Sequence, residues 1–450
     1  MNRLGIKRLL GHGAWTTLAT VGAAAIGLLQ VVVVTRFLGA QTYGQVALIM
    51  AVTVTIRQFV GVRVWEWAIR EFSAAYVAKD VRKAGRVVRT GYALSIAVNV
   101  VTMVLVLGSS GFAAERFLHE PALGRMVSFY AVTLLFNWPS DTAYAVMRVA
   151  ERFRFLSFQT VVLSLSRLVV IGGSVWLRPT LEVTLLAYVF VEFLAAVWMI
   201  ASAHRTFKED LGETWWQAST GQPLFLDRSM RNLLMVGGVT DTLKLIGGRA
   251  DLLVLGWFAS PSEVGMYRVA SNFVEMFDRL ASALSMIVFS DLAKLAAQRK
   301  RREYLSNLLR ISALAAATVI PGTFLMWALS DWLISILYGE RFMDASRLLR
   351  ILAWSPLWIV GIWVQVSSVS IGRAHWGLQL VAVMVAIKLG LLAVLVPSKG
   401  AEGLALVNAA YGAIFALLVP LVYLRTRRHT RGWIPEAHLA APREPTNIPT

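Results

Sequence analysis

The sequence predicts an all-α polytopic membrane protein with about 12 transmembrane helices in two six-helix lobes. Of its 450 residues, 57% are hydrophobic and only 16% are charged, whereas soluble proteins contain about 25% charged residues. Apolar windows of about 20 residues, the length that crosses a bilayer as a helix, recur along the chain. Lys and Arg lie in short clusters between these windows, which is the positive-inside pattern of membrane proteins.

Twelve apolar windows give the predicted helices. The first six lie at residues 14–36, 44–65, 88–110, 124–146, 157–177 and 182–203. The second six lie at residues 233–258, 264–292, 306–329, 347–370, 376–396 and 402–424. The windows predict an N-terminal lobe at 1–207, a cytoplasmic interfacial linker at 208–232, a C-terminal lobe at 233–425 and a disordered cytoplasmic tail at 426–450.

The start of the chain allows two interpretations. Arg3, Lys7 and Arg8 are typical of the n-region of a cleaved signal peptide. The apolar run that follows, at residues 14–35, is longer than the roughly 7–15 residues of a signal-peptide core. We therefore expect a retained first helix.

The distribution of Lys and Arg predicts the topology. With a cytoplasmic amino terminus, the inside segments hold 27 Lys and Arg and the outside segments hold 8. Both termini are therefore expected in the cytoplasm. The outside loops are too short for a catalytic domain, which disfavours a glycan polymerase or glycosyltransferase.

The motifs of common enzyme classes are missing from the sequence. The chain has no cysteine, which excludes disulfides, thiol catalysis and thiolate metal ligands. No Walker A pattern or Gly-x-Ser-x-Gly elbow occurs, and the six histidines show no metal spacing. The net charge of +18 follows the positive-inside clusters, so no nucleic-acid partner is expected. We predict a protein that is not an enzyme and has no cofactor or metal site.

Two segments suggest an internal repeat. Residues 37–44 read Phe-Leu-Gly-Ala-Gln-Thr-Tyr-Gly, and residues 258–265 read Phe-Ala-Ser-Pro-Ser-Glu-Val-Gly. Each joins one apolar helix to the next in its six-helix set. Because six helices keep the second half parallel to the first, we expect two lobes related by an axis along the membrane normal, with the substrate site between them.

The predicted eighth helix carries the most polar side chains. At about 100° per residue, Arg268, Asn272, Glu275 and Arg279 share a narrow arc, which Asp278 flanks. An ionisable group that faces lipid costs at least ~2.5–3.5 kcal/mol, so this face must line a wet cavity or pair with other helices. Glu275 and Arg279 are spaced for an i,i+4 pair. Arg268 has no acid one turn away, which indicates either an anionic ligand or an interhelical salt bridge.

Other predicted helices carry ionisable residues at lower density. Asp241, Lys244 and Asp251 share a face of the seventh helix, either as a binding surface or as a structural ion pair, and Arg249 lies beside them. Arg57 lies midway along the second helix. The other candidates are Asp141 on the fourth helix, on one face with Asn137, Tyr144 and Arg148, and the single residues Arg167, Glu192 and Lys388.

These positions give two sets of candidate site residues. Because guanidinium groups bind phosphate bidentately, the cationic excess inside the membrane favours an anionic substrate of the phosphate or pyrophosphate class. The predicted substrate-binding residues are Arg57, Arg167, Lys244, Arg249, Arg268, Asn272, Arg279 and Lys388. The predicted ion-coupling residues are Asp141, Asp241, Asp251, Glu275 and Asp278.

Four motifs resemble those of the polysaccharide flippases (Wzx-like exporters of O-antigen and exopolysaccharide) of the multidrug/oligosaccharidyl-lipid/polysaccharide transporter superfamily. They are Arg36-Phe37-Leu38-Gly39 with Tyr43-Gly44; Asp251-Leu252-Leu253-Val254-Leu255-Gly256 with Glu263-Val264-Gly265-Met266-Tyr267 and Ala270; Leu337-Tyr338-Gly339-Glu340-Arg341-Phe342 with Ala345; and Gly400-Ala401-Glu402-Gly403. Their order and spacing cover nearly the whole chain. Arg268 departs from the pattern, which has a small or polar residue there.

The resemblance implies two lobes in a V shape with pseudo-two-fold symmetry and a mechanism of alternating access through a cationic central cavity. It implies transfer of a polyprenyl-pyrophosphate-linked oligosaccharide from the cytoplasmic to the outer leaflet for surface polysaccharide assembly. The expected partners are this lipid-linked oligosaccharide, membrane lipids, and a glycan polymerase or other assembly proteins. An ion-coupled drug/cation antiporter of the same superfamily and a peptidoglycan-precursor flippase are the alternatives.

Overall fold

The computed structural model of the chain describes residues 3–61, 64–218 and 251–433. Helices dominate these ranges, and no strand occurs within them. The all-α fold class predicted from the apolar windows is therefore confirmed.

The described residues form fifteen α-helices, numbered here in chain order. The first eight are α1 (Arg3–Val60), α2 (Val64–Val77), α3 (Val81–Arg116), α4 (Gly124–Tyr130), α5 (Leu134–Val149), α6 (Phe153–Leu177), α7 (Leu181–Leu211) and α8 (Trp215–Ala218). The others are α9 (Asp251–Phe258), α10 (Pro261–Ala297), α11 (Arg301–Ala328), α12 (Ser330–Tyr338), α13 (Asp344–Leu352), α14 (Trp363–Ser370) and α15 (Ala374–His429). Short 3₁₀ helices span Pro121–Leu123, Ala131–Thr133, Glu340–Phe342, Ser355–Gly361 and Thr430–Gly432.

Two of the long helices contain a break at a single glycine. Gly39 in α1 has φ 73° and ψ 173°, and Gly400 in α15 has φ 53° and ψ −128°. Glycine populates positive φ readily because it lacks a Cβ. The breaks fall at the two connections predicted from sequence, so α1 and α15 each correspond to two predicted helices.

Seven helical segments of the described chain are long and apolar enough to cross a membrane. They are Leu18–Val60, Val81–Arg116, Phe153–Leu177, Leu181–Leu211, Arg301–Ala328, Asp344–Ser370 and His375–Gly432. Most of the predicted seventh helix, at 233–258, lies outside the described residues. The count of twelve and the cytoplasmic position of both termini remain predictions.

Several helices end at other residues than the apolar windows predict. The apolar window at 182–203 forms part of α7, which continues to Leu211. Polar residues stabilise this extension, because Arg205 Nε donates a hydrogen bond to Glu209 Oε1 at 2.7 Å across one turn. Gly212, with φ 81°, then ends the helix in the left-handed conformation. The predicted helix 44–65 ends at Val60, and α2 begins at Val64.

Contacts group the chain into two compact units. Unit 1 comprises Met1–Asn272, Asp331–Leu348 and Leu392–Leu404, and unit 2 comprises Phe273–Ser330, Leu349–Leu391 and Ala405–Thr450. The helix α10 belongs to unit 1 up to Asn272 and to unit 2 from Phe273 onward. The division into two sequence halves with a linker at 208–232 remains a prediction.

The described core of unit 1 is built around aromatic side chains. Trp67 of α2 and Phe207 of α7 are nearly fully buried in one cluster with Tyr92 of α3. The Tyr92 ring lies edge-on to Trp138 and Trp215, with centroids 5.0 and 5.4 Å apart. Such edge-to-face pairs contribute beyond the area that they bury. Through Trp215, the short helix α8 is fixed against α3.

Unit 2 has its own core, in which polar atoms are paired. Tyr304, Trp363 and Phe415 are buried together. Trp363 Nε1 donates to Ser312 Oγ at 2.6 Å, and Tyr304 Oη lies 2.8 Å from Ser370 Oγ. Because buried indole and hydroxyl groups are costly without partners, these bonds fix α14 against α11.

Within unit 1, two glycines allow backbone to touch backbone. A Cβ on Gly44 of α1 would overlap the carbonyl oxygen of Pro261, and a Cβ on Gly265 of α10 would overlap that of Ala40. Gly44 and Gly265 are the final residues of the two segments that suggest an internal repeat. Small residues of this kind permit close helix packing in membranes.

Replacing Gly44 by alanine should therefore lower thermal stability. The added methyl group must displace the Pro261 backbone, and overpacking of this kind costs about 1–3 kcal/mol. The measurement is the melting temperature of the purified protein in detergent.

Gly108→Ala in α3 is the matched control, because a Cβ there meets no atom within 4 Å. Alanine is favoured over glycine inside a helix by about 1 kcal/mol, so this variant should melt at or above the wild-type temperature. Equal melting temperatures for the two variants would contradict the close packing.

Candidate functional site

Arg268 of α10 lies in a polar cluster of unit 1 that is lined by tyrosines. It is half-buried and lies in electrostatic range of Tyr188 in α7 and Tyr338 in α12. Gln30 Nε2 donates to Tyr188 Oη at 3.0 Å, and Tyr43 lies in electrostatic range of both other tyrosines. We call Gln30, Tyr43, Tyr188, Arg268 and Tyr338 the tyrosine cluster.

Asn272, one turn after Arg268, extends the tyrosine cluster. Its Nδ2 donates to Tyr43 Oη at 3.4 Å, a long hydrogen bond. The side chains of Tyr43 and Tyr338 are almost fully buried, with 6% and 3% exposed. The structure therefore brings Arg268 and Asn272 of the predicted binding set next to neutral hydroxyl groups.

Arg167, another predicted binding residue, forms an ion pair beside this cluster. Its Nη2 lies 2.7 Å from Glu192 Oε1, which joins α6 to α7. Arg167 also lies in electrostatic range of Tyr188 and of Tyr130 in α4. Because Glu192 neutralises its charge, Arg167 should attract an anionic ligand less strongly than an arginine without such an ion pair.

Arg57 lies elsewhere in unit 1 than its predicted position midway along a helix. Because α1 ends at Val60, before Gly61, Arg57 lies in the last turn of that helix. A cation in this position is favoured by the helix dipole. Arg57 lies in electrostatic range of Asp141 on α5, so the structure brings a predicted binding residue and a predicted coupling residue together.

Asp141 also lines a cavity of about 380 Å³ in unit 1. We call it the Trp65 cavity. The α5 residues Ser140, Asp141, Tyr144 and Arg148 line it, together with Trp65 of α2 and Met199 of α7. The Arg148 guanidinium carbon lies 5.9 Å from the Tyr144 ring centroid, a cation–π distance. This volume is within the roughly 300–1,000 Å³ of small-molecule sites.

Three further candidates, Glu275, Asp278 and Lys388, lie together in unit 2. Trp358 Nε1 donates to Asp278 Oδ1 at 3.0 Å, and Asp278 lies in electrostatic range of Glu275 and Lys388. The Lys388 side chain is almost fully buried, with 4% exposed, and its Nζ lies 5.5 Å from the Tyr411 ring centroid. A lysine from α15 and two acids from α10 thus share one polar region.

Arg279 is the most exposed of the unit 2 candidates. Its Nη2 lies 3.9 Å from Glu275 Oε2, as the i,i+4 spacing predicts, but 52% of its side chain is exposed. A guanidinium that faced lipid would be costly, so we expect the exposed Arg279 to meet water or a ligand.

Four predicted site residues come from the segment around the seventh predicted helix. Asp241, Lys244 and Arg249 lie outside the described residues, so their roles remain predictions. Asp251 begins α9 and is buried, with 8% of the residue exposed.

The neighbours of these charges were not predicted from sequence. Tyr188 and Trp358 each lie in an apolar window, where an aromatic residue contributes to the hydropathy that predicts the helix, and Tyr338 lies in the connection predicted between the windows 306–329 and 347–370. Their hydroxyl or indole N–H groups are a weak signal, because buried Tyr and Trp usually have a polar partner. That rule indicates that a partner exists but not which helix supplies it.

A family model described as "Polysaccharide biosynthesis protein" matches residues 9–290 of the chain. The match covers more than half of the sequence. Among curated proteins, no significant sequence match was found.

Solved structures of membrane transporters have a similar fold. The inward closed conformation of the lipid II flippase MurJ superposes with a TM-score of 0.70 at 15% identity, covering 92% of this chain and 90% of that chain. The MATE transporter VcmN of Vibrio cholerae gives 0.60 at 13% identity, covering 94% and 97%. A MOP superfamily transporter of Pyrococcus furiosus gives 0.61 at 11% identity, covering 92% and 96%.

The ion pair of Arg167 and Glu192 generates a testable prediction. Arg167→Ala or Glu192→Ala alone leaves a charge without its partner in an apolar helix, which is destabilising. Both single variants should therefore melt below the wild type. In the double variant Arg167→Ala/Glu192→Ala, the decrease in melting temperature should be smaller than the sum of the two single decreases, because this variant removes both charges. Additive losses in this double-mutant cycle would show that the pair is not coupled.

Proposed function

Because the chain belongs to the polysaccharide biosynthesis protein family and has the fold of MOP-superfamily transporters, we propose that it is a flippase for a lipid-linked glycan. In this proposal it moves a polyprenyl-pyrophosphate-linked oligosaccharide from the cytoplasmic to the outer leaflet of the bacterial inner membrane. It works by alternating access through a cationic central cavity and supplies surface polysaccharide assembly, such as that of O-antigen or exopolysaccharide. Glycan polymerase and other assembly proteins are the proposed partners.

The observation that carries this proposal is the environment of Arg268. Tyr188 and Tyr338 lie in electrostatic range of this guanidinium, so hydroxyl groups that can donate to phosphate oxygens lie near it. A pyrophosphate is attracted to the positive charge of Arg268. The planar guanidinium binds two phosphate oxygens at once, and the tyrosine hydroxyls donate to the others.

Other cations contribute to the proposed pyrophosphate site to different degrees. Arg279 is exposed enough to reach a ligand, and we assign it a direct role together with Arg57 and, outside the described residues, Lys244 and Arg249. Arg167 and Lys388 lie beside acids, so we assign them to maintaining the positive potential around the site. We assign Asn272 to positioning Tyr43, because its side-chain amide donates a hydrogen bond to Tyr43 Oη.

We assign ion coupling to Glu275 and Asp278 of unit 2. Two carboxylates three residues apart on one helix repel each other, and Lys388 lies in electrostatic range of Asp278. A cation that binds between such acids relieves the repulsion. Asp141, Asp251 and, outside the described residues, Asp241 are the other proposed candidates.

Proteins with this fold transport different substrates, so the fold alone does not distinguish a glycan flippase from the alternative functions. The similarity to a lipid II flippase supports a lipid-linked substrate, and a peptidoglycan precursor is one such substrate. The similarity to MATE transporters is compatible with a drug antiporter. The positive charge of Arg268, Arg279 and Arg57 disfavours a cationic drug.

Substituting Arg268 by alanine should abolish glycan export. The experiment uses a deletion strain that expresses each variant, and it measures polyprenyl-linked oligosaccharides and surface polymer. We expect complete repeat units to accumulate on the cytoplasmic side, with surface polymer reduced at least ten-fold. Arg279→Ala should have the same effect, and Arg268→Lys should be intermediate because an ammonium keeps the charge but loses the bidentate geometry.

Arg302→Ala is the matched control, since this exposed arginine lies at the start of α11. It should export normally at the same membrane level of protein. Normal export by Arg268→Ala and Arg279→Ala would mean that these cations are structural. Unchanged glycan in the deletion strain, with altered drug sensitivity, would assign the protein to the antiporters.

Asp278→Asn should uncouple transport from the ion gradient. The amide keeps an acceptor for Trp358 Nε1 but carries no charge, so a cation loses one of its two carboxylates. In vesicles with reconstituted protein, an imposed proton or sodium gradient should accelerate flipping by the wild type but not by this variant. Slow flipping without a gradient should remain. A variant that still responds fully to both gradients would contradict the assignment.

A further inference from the structure

We propose that the Trp65 cavity is a sugar-binding subsite that takes one ring of the glycan headgroup. The inference rests on the proposed function and deepens it, because it separates recognition of the glycan from recognition of the pyrophosphate. All six lining residues belong to unit 1.

The arrangement of the cavity follows from helix geometry. Ser140, Tyr144 and Arg148 recur every four residues along α5, and Asp141 is adjacent, so all of them lie on one side of that helix. Trp65 from α2 and Met199 from α7 line the same space. Polar groups from one helix and apolar groups from two others therefore line a single cavity.

Two aromatic side chains that line this cavity are accessible. Trp65 and Tyr144 are 38% and 37% exposed, so a ligand in the cavity can reach their rings. A pyranose ring has apolar C–H groups on its faces and hydroxyl groups around its edge. An aromatic side chain, which has an apolar body and a polar tip, can cover such a face while leaving the edge to polar groups.

The polar residues of the cavity match the edge of a sugar ring. The Asp141 carboxylate accepts hydrogen bonds only, Arg148 donates only, and the Ser140 hydroxyl does both. Arg148 is positioned by the Tyr144 ring at 5.9 Å. Hydroxyl groups both donate and accept, so a sugar satisfies all three of these groups at once.

Other ligand classes fit the cavity less well. A free phosphate would bind Arg148 but would leave two aromatic side chains without a function and would lie beside the Asp141 carboxylate. A cationic drug would meet Arg148 inside the cavity and Arg57 in electrostatic range of Asp141. A sugar ring, neutral or acidic, uses both the aromatic and the polar residues.

The test compares binding of the glycan with binding of the anion. The probes are the oligosaccharide released by mild acid from the cell's own lipid-linked pool and inorganic pyrophosphate. Binding of the oligosaccharide is measured by saturation-transfer NMR and binding of pyrophosphate by isothermal titration calorimetry, both against the full-length protein in nanodiscs. Trp65→Ala should weaken oligosaccharide binding by about ten-fold and leave pyrophosphate binding unchanged. Trp65→Phe, which keeps an aromatic ring, should retain most of the affinity.

The matched control is Trp176→Ala, because Trp176 lies near the end of α6, is 69% exposed and does not line the cavity. It should bind both probes as the wild type does. Arg268→Ala should show the reverse pattern, with pyrophosphate binding lost and oligosaccharide binding kept.

The outcomes separate this inference from the proposed function. The sugar subsite would be overturned if the wild type bound no oligosaccharide, or if Trp65→Ala bound it as strongly as the wild type. The flippase proposal would then still be supported by pyrophosphate binding and by export. Oligosaccharide binding that depends on Trp65, together with no pyrophosphate binding and no export defect in the deletion strain, would support the subsite and overturn the proposed substrate.

Discussion

The described structure depends on one electrostatic constraint: a charge inside an apolar helix needs a partner, because lipid cannot solvate it. Several described charges of the predicted site have polar or charged groups in electrostatic range. Arg167 has Glu192, Arg57 has Asp141, and Lys388 has Asp278 and the Tyr411 ring. Arg268 is accompanied by neutral tyrosines. The same constraint therefore links helices that are far apart in sequence.

The existence of most helices could be predicted from sequence because hydropathy over about 20 residues is a local property. The ends of the helices could not. The helix α7 continues past its apolar window on the pairing of Arg205 with Glu209, and the loop predicted after residue 36 is reduced to one positive-φ glycine, Gly39. Such ends depend on single residues and their partners, which an average over a window does not resolve. Arg57 was misplaced for this reason.

A polar face on α10 could be predicted, because helical periodicity places Arg268, Asn272, Glu275 and Arg279 on one arc; whether this face binds a substrate stays a prediction. The groups that surround the face could not. Tyr188 lies 80 residues before Arg268 in the chain and Tyr338 lies 70 residues after it, and no local pattern connects them. The Trp65 cavity could be predicted only in part. The shared face of Asp141, Tyr144 and Arg148 was predicted from helical periodicity, but Trp65 lines the same cavity only because α2 packs on α5.

The contact of Gly44 with Gly265 bears on proton leakage in the proposed flippase. Backbone meets backbone there without side chains between them, which leaves little room for a file of water molecules, and protons cross membranes along such files. The distribution of Lys and Arg predicts this contact on the outer side of the membrane. The proposed flippase, which binds a bulky headgroup from the cytoplasm, would need this side to stay closed, or the gradient that drives it would dissipate.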